Sequence, residues 1–287
     1  ANTQYSGSKT ITCDSYAGSY RLQETGRGNR IQTFTLNNGT TPVDNDITSN
    51  STTWDYCHST SKAALDAHWG AEVTYDYFLN EHGRNSIDDN GMIIKSYVHY
   101  GTNVVNAYWD GSAMLYGDGT SNPLTTLAIV GHEITHGITQ HTAGLIYQGT
   151  SGALNESFSD IFGVSVDFIT RPGQANWLLG DEFGTIFRNM ADPNSMGHPD
   201  TYLGTNWYDT CSGCYDYGGV HLNSAIQNLW YVLLVDGGSG VNDNGDSYNI
   251  NSIGLTNASM IAYRNLSVYL TPSSNFFDAR NYSIQSA

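Results

Sequence analysis

The stretch Leu124 to Thr139, Leu-Thr-Thr-Leu-Ala-Ile-Val-Gly-His-Glu-Ile-Thr-His-Gly-Ile-Thr, constrains the chain more than any other. It is apolar enough for a buried helix, yet it carries His132-Glu133-Ile134-Thr135-His136. On a helix, residues four apart differ by about 40° around the axis and one turn along it. Both imidazoles then reach one zinc ion, and Glu133 beside them is placed to polarise water there. Asn122-Pro123 opens the helix, with proline suited to the first turn.

A chain of 287 residues has room for one large or two ordinary domains with a sizeable core. The longest apolar run, around Leu229 to Val235, falls far short of a membrane span. A formal charge of −16 with only 11 Lys and Arg argues against nucleic acid or an anionic membrane as partner. The chain starts at Ala1 rather than Met, which fits a mature secreted protein whose leader and pro-segment have been removed. Export also suits two structural disulfides, Cys13–Cys57 and Cys211–Cys214, as the preferred reading of the four cysteines.

Residues 1–60 are rich in Thr, Ser, Asn and Gly, with alternating runs at Ser19–Glu24 and Arg30–Leu36 separated by turn signals. That pattern predicts antiparallel β structure. A helix follows from Ser61 to about Asn80, then strands at Met92–Tyr100, Val104–Trp109 and Ala113–Tyr116. Beyond the motif helix the pattern turns helical: Ala153–Thr170, His221–Val235, Asn257–Leu270, and a last helix starting near Asn275. The expected fold is therefore α+β in two lobes, a β-rich residues 1–141 and an α-helical residues 142–287. The motif helix would floor an active-site cleft between them.

Catalytic zinc needs a third protein ligand and an open position. Twenty residues after His136 stands Glu156, in Gly152-Ala-Leu-Asn-Glu-Ser-Phe-Ser-Asp160. Asp160 is one turn further along the same face, placed to orient a liganding imidazole, with Asn155 also in the supporting shell. Only six glutamates occur in the chain, and two occupy these positions. A solvated helix acid is the plainer reading of Glu156, but its apolar neighbours argue against it.

With these residues in place the sequence resembles the thermolysin-like metallopeptidases. The resemblance is carried by Asn106-Ala-Tyr-Trp109, Gly117-Asp-Gly119, Gly131–Gly137, Thr142–Tyr147, Gly152–Gly163 and Gly218–Ser224, in family order over roughly residues 60 to 275. It implies a zinc-dependent endopeptidase with Zn2+ on His132, His136 and Glu156. Glu133 would be general base and proton shuttle, His221 and Tyr147 donors to the oxyanion, and Asp216 the carboxylate that orients His221. Asn106 and Ala107 would pair with an extended peptide substrate, and Arg188 would hold its carbonyl. Leu124, Ile129, Leu179, Phe183 and Phe187 would line an apolar pocket, favouring bulky hydrophobic residues just after the cleaved bond. A monomer is expected, with peptide and protein substrates as partners, together with its own propeptide or a cleaved C-terminal fragment.

Two departures stand out. Relatives carry a calcium carboxylate four residues before the first zinc histidine, where this chain has Ala128. Later positions read Asp167, Asn176, Leu178 and Asp181, thin for an ion that wants six to eight oxygens. A double Ca2+ site is expected to be missing, leaving at most a weaker single ion on Asp167, Asn176 and Asp181. Asn242–Asp246 reads equally as a calcium loop and as a solvated turn. The chain also stops mid-helix where relatives continue for about another helix, as autolysis or truncation would leave it.

Two other functions compete. A zinc aminopeptidase would need an acidic cluster for the substrate's amino terminus, and none is evident near Asn106. A catalytically dead binding protein would be expected to lose the general base, yet Glu133 is present.

Overall fold

The computed structural model describes residues 1–54 and 61–287, so the Cys13–Cys57 pairing lies outside the described residues. The chain forms two compact units, Ala1–Gly137 with Glu182–Thr185, and Ile138–Asp181 with Ile186–Ala287.

The first unit contains strands β1 (Asp14–Tyr16), β2 (Ser19–Arg21), β3 (Gln23–Glu24), β4 (Ile31–Thr35) and β5 (Thr48–Ser49). Helix α1 (Ser61–His82) follows, then β6 (Ile94–Val98), β7 (Ala107–Trp109), β8 (Met114–Tyr116) and the motif helix α2 (Leu127–Gln140), which runs on into the second unit. The main sheet has the order β3-β4-β6-β8-β7. Its two central pairs, β4 with β6 and β6 with β8, run parallel, whereas the strand pairs within residues 1–60 are antiparallel as expected. For β4 and β6 the reason is α1, since a strand that returns through a crossover helix re-enters the sheet in the same direction; β8 is parallel to β6 because it is inserted between β6 and its own antiparallel partner β7. α1 packs on β4 and β6 with Ala64, Leu65, Trp69, Ala71, Tyr75 and Phe78 buried. The run Ser19–Glu24 is split, β2 joining a small sheet with β1 and β5 while β3 pairs with β4.

α2 starts at Leu127, later than the proline signal predicts. Thr126 is its true cap, its carbonyl taking the Val130 N–H at 2.9 Å and its hydroxyl the Ile129 N–H at 3.4 Å. Pro123 and Leu124 serve the preceding loop, where Pro123 accepts the Tyr5 hydroxyl at 2.6 Å and Leu124 N–H bonds Gly117 at 2.9 Å.

The second unit is built around α3 (Gly149–Thr170), buried from Ser151 to Asp167 and packed by α4 (Tyr215–Asn223), α5 (Ala225–Asp236), α6 (Gly254–Arg264) and α7 (Phe276–Ser286). It begins a turn before the predicted Ala153, and within that turn Gly152 is required by space, since a Cβ there would meet Val220 Cγ1 at 2.5 Å. The predicted helix from His221 to Val235 is divided at Ser224, whose hydroxyl bonds the His221 carbonyl at 2.9 Å. The helix predicted to reach Leu270 stops at Arg264 and passes into a wider π turn, Asn265–Tyr269. At α7, Asn275 and Asp278 form a capping box. Two hairpins complete the unit, β9 (Leu178–Leu179) with β10 (Arg188–Asn189), and β11 (Gly238–Val241) with β12 (Ser247–Ile250). Asn242–Asp246 is the turn of the second, closed by Asn242 Oδ1 accepting the N–H of Asn244 and Asp246.

Candidate active site

His132 and Glu133 are buried on α2, and His136 is partly exposed one turn on. The two imidazoles meet edge to face with their Nε2 atoms 3.0 Å apart. Glu133 makes itself felt on Tyr116 of β8, whose hydroxyl pKa is raised by burial and then by the Glu133 charge.

Ligand atoms of His132, His136 and Glu156 all lie within 4.8 Å of one another. Two imidazoles and a carboxylate form a donor set that zinc accepts. Around a tetrahedral ion with bonds of about 2.0–2.1 Å, two ligating nitrogens sit about 3.3 Å apart. The observed separation of the histidine nitrogens is close to that, so the residues fit the ion. The other candidate set among the described residues, Asp209, Cys211 and Cys214, is spoken for, because the two cysteines form a disulfide as predicted.

Around Glu156 the second unit assembles the remaining polar residues. The Tyr147 hydroxyl donates to Glu156 Oε1 and lies 3.3 Å from His221 Nε2. His221 Nε2 is 3.4 Å from the same carboxylate. Asp216 grips His221 twice, one oxygen accepting its backbone N–H at 2.9 Å and the other meeting Nδ1 at 2.5 Å. Burial alone would lower the His221 pKa, but Glu156 and the Asp216 hydrogen bond outweigh it and the pKa is raised.

Asp160, fully buried, accepts Arg188 Nε at 2.6 Å and Nη2 at 2.7 Å, and the Asn228 amide at 2.8 Å. Burial works against the Arg188 charge, but Asp160 and then Glu156 raise its pKa on balance. The structure thus gives Asp160 a firm arginine partner that sequence spacing does not reveal. Asn155 is buried and donates to the Leu145 carbonyl at 3.0 Å, tying α3 to the segment before Tyr147.

Among the proposed substrate residues, Ala107 lies in β7, the edge strand of the main sheet, and the Asn106 side chain accepts the Ala107 N–H at 3.0 Å. Leu124, Ile129, Leu179 and Phe183 are buried and Phe187 is partly exposed. The residues of the calcium expectation have partners of their own in the fold. Both Asp167 oxygens are taken by Arg171, at 2.7 and 2.8 Å, which neutralises the carboxylate inside the fold. Asn176 and Asp181 bond each other at 2.7 Å.

Sequence reading misses Asn228 and His198. A buried asparagine on α5 gives no periodic signal. His198 is buried close enough for Arg188, Asp160 and Asp216 to act on it, and its pKa is lowered by burial first and then by Arg188.

Comparison with known proteins agrees with this geometry. The family model for the thermolysin metallopeptidase catalytic domain matches residues 1–140, and that for the thermolysin metallopeptidase alpha-helical domain matches residues 143–287. The chain belongs to the thermolysin metallopeptidase family. It is similar to a bacillolysin of Brevibacillus brevis, 42% identical over 93% of this chain and 49% of that protein. It is also similar to a thermolysin of Bacillus sp. (strain EA1), 40% identical over 96% of this chain and 50% of that one. The chain spans about half the length of these relatives. Among solved structures it resembles the precursor of protealysin, a metalloproteinase from Serratia proteamaculans, with TM-score 0.69 and 27% identity, covering 89% of this chain and 80% of that one.

Proposed function

We propose that this chain is the catalytic part of a secreted zinc endopeptidase that cuts internal peptide bonds before bulky hydrophobic residues. The observation that carries the reading is the convergence of His132, His136 and Glu156, with Glu133 next to His132 in the sequence. Zinc, when bound, supplies Lewis acidity that acidifies water and polarises the substrate carbonyl.

The remaining work falls to the chain. Glu133 takes the proton from the attacking water and delivers it to the departing amine. His221 Nε2–H and the Tyr147 hydroxyl donate to the oxygen where negative charge develops. Asp216 fixes His221 by holding Nδ1, so that the Nε2 proton points toward substrate. Arg188 uses two of its five donors on Asp160, and a further one serves a substrate carbonyl. The β7 edge supplies backbone pairing for an extended peptide, and the apolar side chains of Leu124, Ile129, Leu179, Phe183 and Phe187 favour Leu or Phe after the scissile bond. The enzyme acts as a monomer on peptides and proteins, its own propeptide among its partners. No helix among the described residues is long and apolar enough to cross a membrane.

A peptide-library digest with and without a zinc chelator tests the reading. Cleavage of N-terminally blocked peptides before hydrophobic residues, abolished by chelation, is the expected result. Cleavage confined to free amino termini would instead make this an aminopeptidase.

A further inference from the structure

Within α4, just after Tyr215, four consecutive residues lie in the left-handed region: Asp216 (φ 56°), Tyr217 (φ 50°), Gly218 (φ 81°) and Gly219 (φ 72°). Three have evident reasons. Gly219 has no room for a side chain, since a Cβ there would meet Tyr208 Cβ at 2.7 Å, and Gly218 is pressed against Thr210 and Gln148. Asp216 is of a type that tolerates this conformation, and its turn delivers both oxygens to His221. Tyr217 is different. A bulky aromatic is among the least tolerated residues there, and its side chain is 61% exposed, so core packing does not explain it. Its ring meets the Tyr147 ring edge to face, with centroids 5.6 Å apart. Tyr147 is the residue whose hydroxyl bonds Glu156 and approaches His221.

We propose that Tyr217 is a positioning residue: its ring, held out by a strained backbone, braces Tyr147 so that the Tyr147 hydroxyl stays at the oxyanion position. Backbone strain at an exposed aromatic whose ring rests on a candidate catalytic group is where a functional constraint is expected. The edge-to-face contact is directional, so it fixes the ring rather than merely covering it. The assignment rests on the proposed role of Tyr147. It adds a residue that acts through Tyr147 and touches neither metal nor substrate.

The test compares Tyr217→Asn with Tyr217→Phe in the zinc-loaded full chain. Asparagine accepts the left-handed backbone and removes the ring, while phenylalanine keeps the ring and loses only the hydroxyl. Tyr217→Asn is expected to lower kcat about tenfold, with KM within about twofold and the melting temperature not reduced. Tyr217→Phe is expected to match the parent. A crystal structure of the asparagine variant is expected to show the Tyr147 hydroxyl withdrawn from Glu156. Unchanged kcat in Tyr217→Asn, or Tyr147 still seated on Glu156 in that crystal, would overturn the proposal. If the parent chain cleaves no peptide, the endopeptidase reading falls, and the crystallographic comparison alone decides the role of Tyr217.

Discussion

Asp160 and Arg188, 28 residues apart, form a two-pronged ion pair inside the second unit, at 2.6 and 2.7 Å, with the carboxylate fully buried. A buried charge that loses its partner is costly, typically about 3–5 kcal/mol. Arg188→Ala should therefore destabilise the chain by about that much, read from chemical denaturation. Arg188→Lys should fall between the two, because lysine restores charge but cannot bond both oxygens in a fixed fork. An alanine variant as stable as the parent would mean that the pair contributes nothing to the fold.

Glu133→Gln keeps the size and polarity of the side chain and removes its basicity. It should bind zinc in the same ratio as the parent while kcat drops by about a thousandfold or more. Zinc content and peptide hydrolysis on the same preparation check both halves. Retained turnover would move the base elsewhere.

Asp216→Asn should leave His221 in place but loosen control of which ring nitrogen carries the proton. The expected result is a fall of about a hundredfold in kcat with KM little changed. Steady-state kinetics on a blocked peptide would show it. A rise in KM alone would make Asp216 a binding residue.

His68 on α1 is buried and neutral in the fold: Nε2 donates to the Thr12 carbonyl at 2.9 Å, and Nδ1 accepts the Thr33 hydroxyl at 2.9 Å. Burial first, and then the Arg27 charge, push its pKa from 6.5 down to about 4. The unfolded chain takes up this proton before the folded chain does, so the stability linked to His68 is present above pH 6.5 and lost as pH falls toward 4. Glu72, which faces His68 at 3.8 Å, runs the other way: burial raises its pKa to about 7, so its contribution is lost as pH rises. The stability difference between the parent and His68→Gln should accordingly shrink by about 3 kcal/mol or less between pH 6.5 and 4. A difference that stays flat would show that His68 is already charged in the folded state.

Metal analysis after gentle dialysis should find fewer than two calcium ions per chain. With Asp167 occupied by Arg171, only Asn176 and Asp181 remain of the proposed set. Six to eight oxygens with enough negative charge are not available from those two side chains alone. Two or more tightly held ions would overturn this.

How far the sequence discloses this structure depends on the range over which each signal acts. Helical periodicity places α2 and α3 well, and with them His132, Glu133, His136 and Glu156, because local repeat and side-chain chemistry coincide there. Strand direction is less legible: Arg30–Leu36 and Met92–Tyr100 are both visible as strands, but only the crossover through α1 makes them parallel. The Asp160–Arg188 pair and the neutralisation of Asp167 by Arg171 are tertiary facts. An arginine looks the same in sequence whether it meets substrate or a buried acid. The left-handed run at Asp216–Gly219 is half legible, since paired glycines announce it and an aspartate permits it. Tyr217 argues against it.

The four residues Glu182–Thr185 belong to the first unit although chain on both sides belongs to the second. Phe183 is buried there, and its carbonyl accepts the Asn122 amide at 3.0 Å. A ribosome that has finished residue 137 has therefore not yet supplied everything the first unit contains, and that unit is completed only after α3 has emerged. A fragment cut at residue 137 would be a unit with a missing piece, so the first unit depends on chain made after it.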